Sequence, residues 1–397
     1  MSNVQVRTKE TAVAGWLAVA AVTLGIFTVM TAELLPVGLL TPVGTELGVS
    51  DGTAGLLVTV PGLVAALAAP LLTVASGRLD RRLVLAALAG LVAAAHAVSA
   101  LAGHFAYLLG ARVLLGVAIG GFWAFAGGLA LRLVPAAQVG RATAVIFGGV
   151  SAASVLGVPA GTLAGDLGGW RLPFAAVAVL ALGVLGALLV LLPPLPAQRS
   201  LSVRDLTGLL RTNRKVRTGL ALTGLLVTAH FLAYTFVRPV LTEEFGVPDG
   251  AVGWLLLGYG VCGVGGNFLA GSLGGRRLLL IAAALTTVLA ALAALPGGGV
   301  TGAVLLLAWG LAYGGVSVAL QSWFLAAAPE AVEAVTALNV SVFCLSIALG
   351  ALLGGRLVDA FAPAAAPAAA ALLTLAAAFV SVRALRTAPA HRKETPS

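Results

Sequence analysis

LLTVASGRLDRR, from Leu71 to Arg82, joins two long apolar segments through a tight charged turn. A weaker echo, SLGGRR, stands at Ser272 to Arg277, again between two apolar segments. Two such turns in a chain of 397 residues describe a duplicated membrane protein. Composition agrees: 60% of the residues are hydrophobic and 9% are charged. Soluble domains carry about 25% charged residues, and no soluble core could hide so much apolar surface.

Working outward from these turns, runs of about 20 apolar residues are long enough to cross about 30 Å of hydrocarbon as helices. They fall at 14–41, 54–75, 83–102, 106–131, 142–165, 171–193, 218–241, 251–273, 278–295, 301–326, 332–357 and 365–385. The lack of dyad alternation excludes a barrel. The expected architecture is an all-α membrane protein of twelve transmembrane helices in two parallel six-helix halves. Residues 1–193 form the first half and 218–397 the second, which ends in a short tail. Residues 194–217 form a basic linker that is either a strap along the inner leaflet or a connector fixing topology. The halves repeat one another. GVSDGTAG at 48–55 matches GVPDGAVG at 246–253, and Gly157, Gly161 and Asp166 match Gly350, Gly354 and Asp359, each 193 positions later. Parallel six-helix halves are an established transporter plan.

Lys and Arg set the orientation. All 23 except Arg112, Arg171, Arg238 and Arg356 fall on the side of the termini, which places both termini in the cytoplasm of a bacterial inner (cytoplasmic) membrane. The net charge of +9 lies in short interhelical loops, so it indicates no nucleic-acid partner. Cys262 and Cys344 both lie in apolar runs and imply neither a disulfide framework nor a metal site. There is no G-x-x-x-x-G-K-[ST] loop, no cluster of His and Asp at metal spacing and no nucleophile with a base. No enzyme and no cofactor are expected. The partners are the lipid bilayer, protons and a small-molecule substrate, and the protein is expected to act as a monomer.

Glu33 is the sole acidic residue well inside a span, about 28 Å along the first helix from Ala14. Arg112 lies at similar depth in span four. Buried charges in hydrocarbon are costly unless they pair or face a cavity. Both are therefore expected to line the central cavity, with Glu33 carrying a coupling proton and Arg112 tuning or replacing it, and His230 in span seven is a further proton-handling candidate. Phe27, Trp123, Phe125, Tyr234, Asn267, Trp309, Tyr313, Gln321 and Asn339 could wall a mostly apolar substrate cavity. His96 and His104 need only surface roles. Asp80 is expected to form ion pairs with Arg78, Arg81, Arg82, Arg132 and Arg141 in a cytoplasmic latch that breaks when the halves rock. Gly157, Pro159 and Gly161 provide close helix approach and a kink.

These residues resemble a known family. Gly77-Arg78-Leu79-Asp80-Arg81-Arg82 looks like the loop motif of the major facilitator superfamily, without the usual glycine between its basic parts. Arg112-x-x-x-Gly116-x-x-x-Gly120 resembles its fourth-helix motif. Gly157-Val158-Pro159-Ala160-Gly161 resembles the fifth-helix antiporter motif, with Val158 departing from the commoner Gly-Pro pair. Residues 30–40 and 337–343 resemble the first and eleventh helices of drug:proton antiporters. Among these, the chain is most similar to bacterial exporters of sugars, arabinose polymers, purine ribonucleosides and chloramphenicol. Cys344 stands where those exporters have a second asparagine. The resemblance implies a major facilitator fold and proton-coupled export of a drug, sugar or nucleoside. A proton-coupled uptake permease is the alternative.

The charge asymmetry predicts that cysteines placed at Ser200 and Thr395 are labelled only from the cytoplasmic side, and one at Gly298 only from outside. Labelling at Gly298 from the cytoplasm would overturn the twelve-span topology.

Overall fold

The computed structural model describes residues 2–75, 79–196, 203–295 and 297–386. Among the described residues, twelve helices are long and apolar enough to span a membrane. They are α1 (Val13–Gly38), α2 (Asp51–Ala69), α3 (Arg81–Ala100), α4 (Phe105–Phe125), α5 (Ala136–Gly168) and α6 (Arg171–Leu191). The second set is α7 (Arg214–Tyr234), α8 (Asp249–Ser272), α9 (Gly274–Ala294), α10 (Gly299–Ala327), α11 (Ala334–Ala360) and α12 (Ala365–Arg386). No strand occurs among the described residues. In hydrocarbon only a helix or a closed barrel satisfies every backbone group.

Helix starts and breaks follow local chemistry. Ser50 caps α2 by accepting the Thr53 N–H at 3.1 Å, and Asn213 caps α7 by accepting the Val216 N–H at 3.1 Å. Gly48 and Gly246, equivalent in the repeated turns, have φ of 67° and 64°, a left-handed conformation that favours glycine. Pro36 ends the regular part of α1 in a 3-10 turn over Leu35–Gly38, and a short helix, Leu40–Leu47, follows. Pro159 lies just beyond a π-turn, Ala153–Gly157, in α5. Proline lacks an N–H and its ring crowds the carbonyl four residues back, so the wider turn relieves both problems.

Two large buried cores and one small cluster result. One core gathers residues of α1 to α6, and the other residues of α7 to α12. Within each, equivalent helices approach through small residues. Gly157 sets α5 against Thr31 of α1, and a Cβ at Gly350 of α11 would lie 2.6 Å from the Thr228 carbonyl oxygen of α7. The cores also interlock. Cys344 of α11 belongs to the first, while Val37, Val58 and Val158 belong to the second.

Contact between the halves is concentrated at the end of the molecule opposite the termini, here called the distal end. There α2 meets α11 and α5 meets α8. A Cβ at Gly62 would lie 3.0 Å from the Cys344 carbonyl oxygen, and one at Gly260 2.8 Å from Val155 Cα. Toward the termini, the Val139–Ala152 part of α5 and the Val316–Ala327 part of α10 pack extensively only within their own halves. The bundle is closed distally and parted at the termini-bearing end.

Replacing Gly350 with Val should lower the melting temperature in detergent, with a loss of about 1–3 kcal/mol from overpacking. Gly271→Val, where a Cβ would meet nothing within 4 Å, should leave it unchanged. Equal melting temperatures would contradict the close α7–α11 approach.

Candidate transport site and gates

Glu33 sits three residues before Pro36, where α1 reaches the interface between the halves. It is 1% exposed, and both carboxylate oxygens are buried without a hydrogen-bond partner. Cys344 of α11 is buried in the same core as Ala32 and Leu35, which flank Glu33 in α1.

Among the described residues, Glu33 and Arg112, placed at similar depth by the sequence, do not touch as an ion pair. Arg112 instead donates from Nη1 to the Ala32 carbonyl at 2.9 Å, with its guanidinium 5.1 Å from the Phe174 ring centroid. The reason is local. The Ala32 carbonyl would bond the N–H four residues on, but that residue is Pro36, so the carbonyl is left for a side chain to satisfy. His96 is a second correction. It is not at the surface but 1% exposed, with Nδ1 3.0 Å from the Val92 carbonyl oxygen and its ring 5.8 Å from Phe174. His104 is exposed as expected.

In the second half, side chains from α7, α8 and α10 build a run of rings. Tyr313, His230, Tyr234 and Tyr259 follow one another at centroid distances of 3.4, 4.8 and 4.9 Å, with planes 10°, 20° and 29° apart. Trp309 meets His230, Tyr234 and Tyr259 edge-on at 5.4 to 5.9 Å. His230, Tyr234, Trp309 and Tyr313 are thus brought together, and Tyr259 is a member that sequence reasoning missed. No periodicity links a tyrosine of α8 to a histidine of α7. The other cavity candidates lie elsewhere. Asn339 accepts from the Thr223 hydroxyl at 2.8 Å, Trp123 stands 6.2 Å from Phe147, and Phe27 packs against the first core. Phe125 lies under Arg81, Asn267 keeps an unpartnered Oδ1, and Gln321 is exposed about 12 Å along α10 from Tyr313.

Two clasps cross the distal interface. Asp359 at the end of α11 accepts the Ser50 hydroxyl at 2.7 Å and the Gly52 N–H at 2.9 Å. Its repeat-mate Asp166, at the end of α5, would face Pro248, which has neither hydroxyl nor N–H to donate. Arg238 takes over there, donating to Asp166 and Asp249 at 3.0 Å each and to the Gly38 carbonyl at 2.8 Å. Each half also ties down its own distal loop. Glu46 accepts from Trp170 and Arg171, and Glu244 accepts the Ala364 N–H at 3.1 Å. The Arg171 guanidinium holds the Glu46 carboxyl below the usual carboxylate range.

The termini-side cluster differs from expectation. Gly77 and Arg78 lie outside the described residues. Among those described, Asp80 makes no ion pair. It caps α3 through the Arg82 N–H at 2.8 Å and accepts the Leu195 N–H at 2.9 Å. Arg132 donates to the Pro196 carbonyl at 2.8 Å, Arg82 to the Leu189 carbonyl, and Arg81 from its backbone to the Leu195 carbonyl at 2.9 Å. The Arg81 guanidinium lies 4.4 Å from the Phe125 ring, and that of Arg141 lies 5.2 Å from Trp16. With the halves parted at this end, the cluster engages the end of α6 and the start of the linker. A carboxylate at a helix start finds backbone N–H groups nearer than distant guanidinium groups.

The model of the Major Facilitator Superfamily matches residues 21–351 and, again, residues 220–397. The chain belongs to that superfamily. Its members are membrane transporters of small molecules and not enzymes. The chain is 35% identical over 385 residues to the transcription regulatory protein OpdE of Pseudomonas aeruginosa, covering 94% of this chain and 95% of that one. It is 34% identical over 380 residues to the purine ribonucleoside efflux pump NepI of Salmonella enteritidis, with the same coverage. Among solved structures, it superposes on an inward-facing, unoccupied bacterial homologue of the human lysosomal transporter Spinster with a TM-score of 0.78. That likeness spans 94% of this chain and 97% of the other at 16% identity, so it speaks for the shared major facilitator fold.

Replacing Asp359 and Arg238 together with Ala should free the distal end. Hydrogen bonds to charged groups contribute about 1.5–3 kcal/mol each, so a cysteine at the buried Val58 should react with an external thiol reagent at least about tenfold faster. An unchanged rate would show that the clasps do not hold this end closed.

Proposed function

We propose that this transporter exports a small organic solute across the bacterial cytoplasmic membrane in exchange for protons, with Glu33 as the coupling carboxylate. The observation that carries the reading is the position of Glu33: an acidic side chain deep within a span, buried at the interface of the halves with both oxygens unpartnered. A carboxylate kept out of water and out of ion pairs holds a proton until one face of the bundle wets it. The Lys and Arg asymmetry puts the termini in the cytoplasm, so the parted end faces the cytoplasm and the clasped end faces outward.

In this cycle the cytoplasm-open state releases a proton from Glu33 and loads solute from inside. Closure at the termini-bearing end and release of the Asp359 and Arg238 clasps then expose Glu33 to the outside, where it takes a proton as solute leaves. Arg112 supports the broken end of α1, so it acts by positioning Glu33 rather than by pairing with it. Drug, sugar or nucleoside are the substrate classes under consideration, and the relatives named as purine ribonucleoside efflux pumps favour export over uptake. The regulatory name of the Pseudomonas relative supports a second reading, in which solute occupancy is sensed rather than moved. The transporter works as a monomer in either case.

Everted vesicles with an imposed pH gradient test the proposal. An exported solute should dissipate the gradient, an imported one should not, and a sensed one should leave it intact. Glu33→Gln should bind a neutral substrate within about threefold of wild type, yet fail to accumulate it and release no protons on binding over about pH 5 to 9. Proton release equal to wild type would move coupling elsewhere, with His230 the first alternative.

A further inference from the structure

The ring run of the second half has a feature that packing alone does not account for. His230 Nδ1, Tyr259 OH and Trp309 Nε1 are buried there, and none has a hydrogen-bond partner. Leaving buried polar atoms unpaired is costly, and native interiors rarely do so. Three of them gathered against one set of rings call for a bound group that completes them. We propose that the run formed by Tyr313, His230, Tyr234 and Tyr259, with Trp309 across its edge, recognises an uncharged, flat heteroaromatic solute carrying hydrogen-bond donors and acceptors on its rim. The inference rests on the transport reading above and names the substrate class for it.

Three features select that class. The rings are near-parallel and 3.4 to 4.9 Å apart, a closed stack whose end is extended by another flat layer better than by a puckered sugar. Tyr313 is only half-buried, so the run has an end on which a ligand ring can stack. The unpartnered atoms are mixed in kind. Indole N–H only donates, phenol O–H can do both, and an imidazole nitrogen does either according to tautomer, which suits a heterocycle rather than a hydrocarbon. Aromatic faces also attract organic cations. The described acids of this half, Glu243, Glu244, Asp249, Glu330 and Asp359, all stand in loops or near helix ends, so none of them balances such a charge. An uncharged ring fits better.

The full chain in lipid nanodiscs can be titrated calorimetrically with adenosine as the flat probe, arabinose as the puckered one and choline as the cation. Adenosine should bind at least about tenfold more tightly than either. Tyr259→Phe should weaken adenosine about tenfold with an unchanged melting temperature, and Trp309→Phe should weaken it about tenfold while lowering that temperature by the lost core volume; Gly271→Ala should bind as wild type. Arabinose or choline binding as tightly as adenosine, or both ring variants binding adenosine like wild type, would overturn the assignment. The vesicle assay separates the two readings. Adenosine binding without movement against a gradient removes export and leaves the ring site. Movement of another solute with no adenosine binding removes the ring site and leaves export.

Discussion

Hydrocarbon supplies no hydrogen bonds, and most of this structure follows from that. Each backbone group within the bilayer must find its partner inside the protein, so the chain is helical wherever it spans. Where a proline breaks that pattern, the protein must answer locally. Pro36 deprives the Ala32 carbonyl of its helical donor, and Arg112 crosses from α4 to supply one. A cation that looks like a counter-ion for Glu33 is thereby committed to the backbone. Glu33 is left unpaired at the seam between the halves, the condition that the proposed proton coupling needs.

The same economy governs the gates. Repeated halves offer the same groups twice, but the contacts they make are not copies. Ser50 lets Asp359 bind the start of α2 directly, whereas Pro248 denies Asp166 the matching bond and Arg238 fills the gap. One proline in a repeated turn converts a hydrogen-bonded clasp into an ionic one.

Much of the candidate site was legible, but unevenly. Glu33 stood out because any acid within an apolar run is conspicuous. His230, Tyr234, Trp309 and Tyr313 could be named as polar groups in spans, yet their gathering with Tyr259 depends on how α7, α8 and α10 rotate against one another. His96 looked superficial because it lies near a helix end, and only the packing of Phe174 over it shows that it is buried. The partner of Arg112 was within reach of sequence reasoning, since Pro36 stands four residues after Ala32.

The sequence by itself determined the membrane-spanning class, the twelve helices, the duplication and the sidedness expected from Lys and Arg. Each of these depends on counts and spacings along one chain: run length against bilayer thickness, repeated turns, and charge in loops. The tertiary structure alone decided which polar groups meet. It sent Asp80 to the backbone of Arg82 and Leu195 rather than to guanidinium groups, stacked Tyr259 on Tyr234, and closed the distal end through Asp359 and Arg238. Such pairings turn on helix rotation and on distances of a few ångströms between residues far apart in the chain, and no periodicity encodes those.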